Sequence, residues 1–428
     1  MRTLRPRPKP ETPTSPFLSI FLIFFFVAAS GCASYKPKPM EEVGFEKRAQ
    51  TQQEGNVSVT AAVLSADEAR GAFDLKLYKK GIQPIWVEIR NRDDEPLWFL
   101  PYGIDPDYFP PLEVAYMHHS WHWKKAKQKM DRYFFDNSIG LYVGPGSARS
   151  GFIFTHLDEG TKGFNVDLIT DDKTVRTFTF FIQVPGLRVD HREVDFETLY
   201  TDEEIHSYEE AGIRKALESL PCCAKNKKGD TLGDPLNLIV IGESEEVYHA
   251  LIRAGWDETE TIYRRSLWKT SVSFLFGGRY RYSPVSALYV FGRPQDAAFQ
   301  KARGSIHERN HLRLWLAPMR YQGEPVWVGQ ISRDIGVRFT SKTITTHKID
   351  PDVDETRAFL IQDFWYSGGL EKFGYAKGVG AAPIDEPRGN LTGDPYFTDG
   401  LRAVLWLSDE PIPFSDVESA EWEIPPPR

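Results

Sequence analysis

The chain is poor in cysteine: among 428 residues only Cys32, Cys222 and Cys223 carry a thiol. That count excludes a disulfide-stapled scaffold, and the adjacent pair in PCCAKNKKGD lacks the spaced ligands that a zinc site needs. Cys222 and Cys223 could close a vicinal disulfide in an oxidising compartment or stay as thiols, and both alternatives remain open at this stage. Long apolar runs are equally scarce, since after residue 28 no stretch is apolar enough to cross a bilayer as a helix. Positive charge is outweighed, 52 Lys and Arg standing against 60 Asp and Glu for a formal charge of -8, which disfavours a nucleic-acid partner. No cofactor is expected, and no metal. What is plentiful is aromatic: 11 Trp, 18 Tyr and 28 Phe supply material for a buried core, and the length suggests two domains.

The N-terminus carries an address. Arg2, Arg5, Arg7 and Lys9 precede the apolar run from Phe17 to Ala28, and small residues then lead to Cys32. This is the pattern of a secretory signal peptide, because roughly a dozen apolar residues fall short of the ~20 that span a bilayer. With a cysteine directly after Ala29-Ser30-Gly31, it resembles a bacterial lipoprotein signal, which implies removal of residues 1–31 and acylation of Cys32. The membrane would then be a partner through lipid at Cys32, and two or more acyl chains make such an anchor stable. Ala33, in place of the Asp that marks inner-membrane retention in such lipoproteins, implies the outer membrane, facing the periplasm.

The expected layout is multi-domain. Residues 32–55, with Lys36-Pro37-Lys38-Pro39, read as a tether. Over 56–190, alternating runs such as Val57 to Ala61, PIWVEI, LWFL, Ser150 to Phe154, Gly163 to Ile169 and VRTFTFFIQV predict an all-β sandwich of immunoglobulin-like kind. One helix is expected between Leu112 and Met130, where His118, His119 and His122 read as an exposed face without a carboxylate partner. Residues 191–230 read as a helical connection ending in a Lys-rich loop. Over 231–410 the order is strand, helix, strands, helix, strand, an α+β domain with helices on one face of a mixed sheet. It includes a helix initiated at Pro294, a hairpin of His311–Leu316 with 325–331, and a helix over 351–366. Residues 411–428 read as a Pro-rich disordered tail.

Within the second domain PLNLIVIGE, AGW, SPVSALYVFGRPQDAAFQKAR, HLRLW, VWVGQISRDIGV and THKIDPDVDETR occur in order. Together they resemble the LssY C-terminal domain family over about residues 231–408. That family is often fused to membrane modules of the DedA or lipid-phosphate-phosphatase type, modules replaced here by the lipoprotein signal and the β-rich domain.

Few constellations could carry chemistry. His307-Glu308-Arg309-Asn310-His311 fits the zinc-protease pattern, but the alternation of His311, Arg313 and Trp315 with Leu312, Leu314 and Leu316 predicts a strand where that chemistry needs a helix. The same strand places His311, Arg313 and Trp315 on one side, where Asp334 of the hairpin partner could approach. Such a row suits an anion, with Arg as a fork for phosphate or carboxylate; the alternative is a solvated or interdomain face with an Arg–Asp salt bridge. Asp350-Pro351-Asp352 reads as a helix start, leaving His347 unexplained, and Arg293 is left over in the same way before Pro294. Tyr282, Pro284 and Ser286 show no base to activate the serine. The candidate surface is therefore Arg293, His311, Arg313, Asp334 and His347. Two functions follow: an anchored module binding an envelope protein or lipid, or a hydrolase, metal-assisted in one version, acting on phosphate-bearing lipid.

Overall fold

A computed structural model describes residues 35–119, 124–261, 282–302, 309–338, 346–408 and 410–427. The signal segment with Cys32, together with His122, His307 and Glu308, lies outside the described residues.

The first domain is built on two four-stranded antiparallel sheets. One has the order β1-β2-β3-β6, from Gln50–Glu54, Val57–Val63, Ile82–Asn91 and Ser147–His156. The other has the order β5-β4-β7-β8, from Tyr142–Val143, Leu97–Leu100, Thr161–Ile169 and Val175–Gln183. Period-two alternation explains the layering. Val57, Val59, Ala61, Ile85, Val87 and Ile89 point to the facing sheet and meet Val166, Leu168, Phe178 and Phe180. Ala62, Ile82, Phe152 and Phe154 point the other way, into a second core shared with α1 (Ala66–Phe73), α2 (Pro111–Met117) and α3 (Lys124–Asp136). The first sheet is thus buried on both faces. Gly151 marks a close approach on this sheet: a Cβ there would sit 2.5 Å from the Ile139 nitrogen and 2.6 Å from the Ser138 carbonyl carbon.

Three expectations for this half need correction. The single helix over 112–130 is a pair, α2 and α3. His119 has a carboxylate partner after all, its Nε2 lying 2.7 Å from Asp131 Oδ1, because the hairpin brings together residues twelve apart. The tether expected over 32–55 is folded wherever it is described: Tyr35 and Phe45 are 2% and 1% exposed in the helical core and Gln50–Glu54 is a sheet strand. Its polar composition hid two aromatic anchors.

The second domain centres on a sheet of ten strands among the described residues. Its strands are β9 (His206–Tyr208), β12 (Leu238–Ile241), β13 (Asp257–Glu258), β16 (Ala297–Ala302), β17 (Arg309–Tyr321), β18 (Glu324–Arg338), β19 (Thr346–Ile349), β20 (Leu370–Ala376), β23 (Arg402–Leu407) and β24 (Glu418–Ser419). The main path is β13-β16-β17-β18-β12-β23-β20-β24, with β19 paired to β18 and β9 to β17. It is mixed, β12 running parallel to β23 and antiparallel to β18. Small pairings complete the chain: β10 (Cys223–Lys225), β11 (Leu232–Pro235), β14 (Tyr289–Val290) and β15 (Arg293–Pro294) form one sheet, and β21 (Arg388–Gly389) pairs with β22 (Pro395–Tyr396).

One face of the large sheet, with Leu238, Leu312, Leu314 and Leu405, packs on α5 (Ser244–Arg253) and α6 (Val353–Tyr366). The opposite face, with Ile239, Trp315, Val328 and Trp406, packs on α4 (Glu210–Glu218) and the small sheet, so helices cover both faces and not one. The 191–230 connection is likewise part of this body, since β9 joins the sheet and Ile213 and Leu217 of α4 are fully buried. Cys222 and Cys223 are joined as a vicinal disulfide. The helix expected from Pro294 is strand β16: helix-favouring Ala297, Ala298 and Lys301 are overridden by pairing between β13 and β17. The 351–366 helix is present, but Asp352, and not Asp350, caps it by accepting from the Glu355 amide. The tail is pinned, Trp422 packing edge-on to Trp406 at 5.4 Å and Phe414 stacking on Trp365 at 5.1 Å.

Candidate functional site

Strand β17 determines the site. Leu312 and Leu314 enter the helical core, so Arg309, His311, Arg313 and Trp315 must share the other face. The register places Gln300 of β16 and Ser332 of β18 on either side of His311, and Ala298 and Gln330 on either side of Arg313. This is no solvated face: Arg309, His311, Arg313 and Asp334 are between 3% and 8% exposed.

The hydrogen bonds tie the row together. His311 Nε2 lies 2.7 Å from Asp334 Oδ2, with Arg309 Nε 3.8 Å from the same oxygen. Arg309 donates to Gln300 Oε1 at 2.6 Å, and Arg313 donates to Gln330 Oε1 at 2.7 Å and to the Ser286 carbonyl at 3.1 Å. Among the described residues, four side-chain atoms of this face are buried without a hydrogen-bond partner: Arg309 Nε, His311 Nδ1, Trp315 Nε1 and Gln330 Nε2. Native interiors leave few such atoms, and four on one face of two adjacent strands form a cluster, of which Arg309 Nε, His311 Nδ1 and Gln330 Nε2 belong to the polar part of the row.

Burial dominates the electrostatics. It pulls His311 down to about 4, with Arg309 and Arg313 acting the same way against Asp334. The ring is therefore neutral at neutral pH; with Nε2–H directed at Asp334, Nδ1 is an acceptor. Burial also lowers Arg309 to about 10 and lowers Arg313, the latter against the pull of Asp234, Asp334 and Asp190. It raises Asp234, and Asp190 to about 6. The row thus combines two guanidinium groups and a neutral histidine, while burial discourages Asp190 and Asp234 on the neighbouring segments from ionising.

Of the expected residues, the structure brings together His311, Arg313 and Asp334. Arg293 stands apart, fully engaged: it forks onto Asp296 at 2.8 and 2.9 Å and donates to the Tyr200 hydroxyl and the Leu316 carbonyl, both at 2.7 Å. It ties Tyr200 to strand β17. His347 sits on β19 opposite Val337, whereas Asp334 faces Ile349, and the His347 side chain lies outside the described residues. Sequence reading missed Arg309 and Gln330, although Arg309 precedes His311 by one step of the β17 alternation and Gln330 precedes Asp334 by two steps along β18. Gln300 was hidden in the expected helix, and Asp190 and Asp234 are brought near only by the fold. Among the described residues, no three His, Cys, Asp or Glu side chains converge as a metal site. Two cavities lie elsewhere, a groove of about 650 Å³ lined by Phe196, Tyr200, Glu243, Arg320 and Trp327, and an acidic pocket of about 160 Å³ at the domain junction beside Glu159 and Glu258.

Fold and site define an α+β domain on a mixed sheet with a buried polar row. Residues 214–401 match the family described as LssY C-terminus, so this part of the chain carries that domain. The structural unit is larger, β9 preceding the matched stretch and β24 following it. No curated protein matches the chain significantly.

Proposed function

We propose that this chain is a lipid-anchored envelope protein, held at Cys32 and facing the periplasm from the outer membrane, whose C-terminal domain binds an anion at the Arg309–His311–Arg313 row. The observation that carries the reading is the set of buried atoms of Arg309, His311 and Gln330 that make no hydrogen bond among the described residues, beside two guanidinium groups. Arg309 Nε and Gln330 Nε2 offer hydrogens, and His311 Nδ1 offers a lone pair. Two donors beside an acceptor suit an oxyanion that keeps a hydroxyl, such as hydrogen phosphate or the monoanion of a phosphate monoester. Sulfate would leave Nδ1 unmatched, at a cost of about 1–3 kcal/mol. The likeness of the first domain to immunoglobulin sandwiches belongs to the same proposal, supported by its two facing antiparallel sheets.

Calorimetric titration of the folded protein tests the binding. Phosphate is expected to bind with a Kd of about 1 mM or tighter, sulfate at least tenfold more weakly, and Arg309→Gln to abolish the heat. Equal binding of the two anions, or none, would contradict it.

A second reading rests on one specific observation, the Asp334–His311 dyad with Nδ1 unengaged, which is how a general base is held. In that version the row positions a phosphate ester for hydrolysis. Turnover that His311→Gln abolishes without loss of phosphate affinity would favour it over binding alone.

A further inference from the structure

The described chain begins only three residues after Cys32, and it begins pinned. Tyr35 is 2% exposed and packs edge-on against Tyr133 of α3 at 5.8 Å, while its carbonyl accepts from Lys129 Nζ at 3.1 Å. The next residues are tied down too, the Lys36 amide donating to Asp74 Oδ2 at 2.8 Å and the Lys38 amide to the Gly71 carbonyl at 2.9 Å. Three residues reach about 10 Å at full extension. An acylated Cys32 must therefore place the bilayer surface close to α3.

That helix suits such a surface. Lys124, Lys125, Lys129, Arg132 and Phe135 are exposed, Phe135 by 61%, in a chain whose formal charge is -8. Arg132 pairs with Asp136, but among the described residues no carboxylate pairs with Lys124, Lys125 or Lys127. Lys36, Lys38, Lys76, Lys79 and Lys80 are exposed on the neighbouring segments, and Lys80 bonds the carbonyl of Met117 at the end of α2. Cationic side chains around an exposed aromatic ring favour an anionic headgroup layer.

The geometry points to this face, α3 with the chain start and residues 76–80, as the surface that lies on the membrane and contacts anionic phospholipid headgroups. The inference rests on acylation at Cys32. It sets the orientation of the protein: the helical side of the first domain faces the lipid, and the second domain projects into the periplasm.

Lysine footprinting on the mature acylated chain, reconstituted in vesicles of phosphatidylcholine alone or with phosphatidylglycerol, tests it. Lys227 and Lys228, exposed in the second domain, serve as internal references. In phosphatidylglycerol vesicles the acetylation rate of Lys124, Lys125 and Lys127 is expected to fall about fivefold or more relative to those references, and to recover in high salt. A fall shared by Lys227 and Lys228 would overturn the orientation, and equal protection in both kinds of vesicle would overturn the preference for anionic lipid. Intact mass separates the two levels of the account. An unmodified Cys32 refutes the anchor, whereas an acylated chain with unprotected lysines refutes only this inference.

Discussion

His311 is where the account can be tested with a single side chain. Its pKa is held near 4 in the fold, against about 6.5 in an unfolded chain. Between those values the unfolded state binds the extra proton, so this residue makes stability fall as pH drops through the window. Asp190 acts oppositely, since a carboxyl raised to about 6 is protonated in the fold before it is in the unfolded chain, and stability gains as pH falls. The wild-type profile sums these with every other shifted group, among them Asp234 raised and Glu258 lowered. The difference between His311→Gln and wild type isolates one: the variant should gain on the wild type by roughly 3 kcal/mol at most between pH 6.5 and 4 in urea unfolding. A constant difference across that range would mean that His311 is not buried neutral.

At the level of elements, close packing makes its own forecast. Gly151→Ala drives a methyl group into the backbone of Ser138 and Ile139, and should cost about 1–3 kcal/mol by thermal or urea unfolding. Gly140→Ala, with nothing within 4 Å of its Cβ, is the control and should stay within about 0.5 kcal/mol. Strands were the most legible elements. Val57 to Ala61 and His311 to Leu316 alternate, and the alternate residues of each go to opposite faces of the sheet, so pattern and fold agree. The segment at Ala297–Ala302 misled because its local propensity is helical while its pairing partners are distant in sequence. The chain start and the tail misled differently: Tyr35, Phe45 and Trp422 are single aromatic anchors in polar surroundings, which periodicity cannot detect. Half the row was legible for the same reason that β17 was. The groups contributed by β16, β11 and the 190–192 turn come together only through long-range pairing.

For the whole molecule, the two domains meet through part-buried polar contacts and a ring stack. The Thr161 amide donates to Glu258 Oε2 at 2.6 Å and the Glu159 amide to the Tyr282 hydroxyl at 2.7 Å, while the Phe181 and His249 rings stack at 3.8 Å. Burial pushes the Glu258 carboxyl up, but His191, Arg192 and that amide together hold it below its usual range. A protein anchored through its first domain and joined in this way would present the row of the second at a set height above the lipid. The most direct measurement is anomalous diffraction from crystals soaked in arsenate, a protonated tetrahedral anion like phosphate. The account predicts an arsenic peak within about 4 Å of Arg309 Nε and His311 Nδ1, absent in Arg309→Gln. Arsenic bound only elsewhere, with the row unchanged, would contradict it.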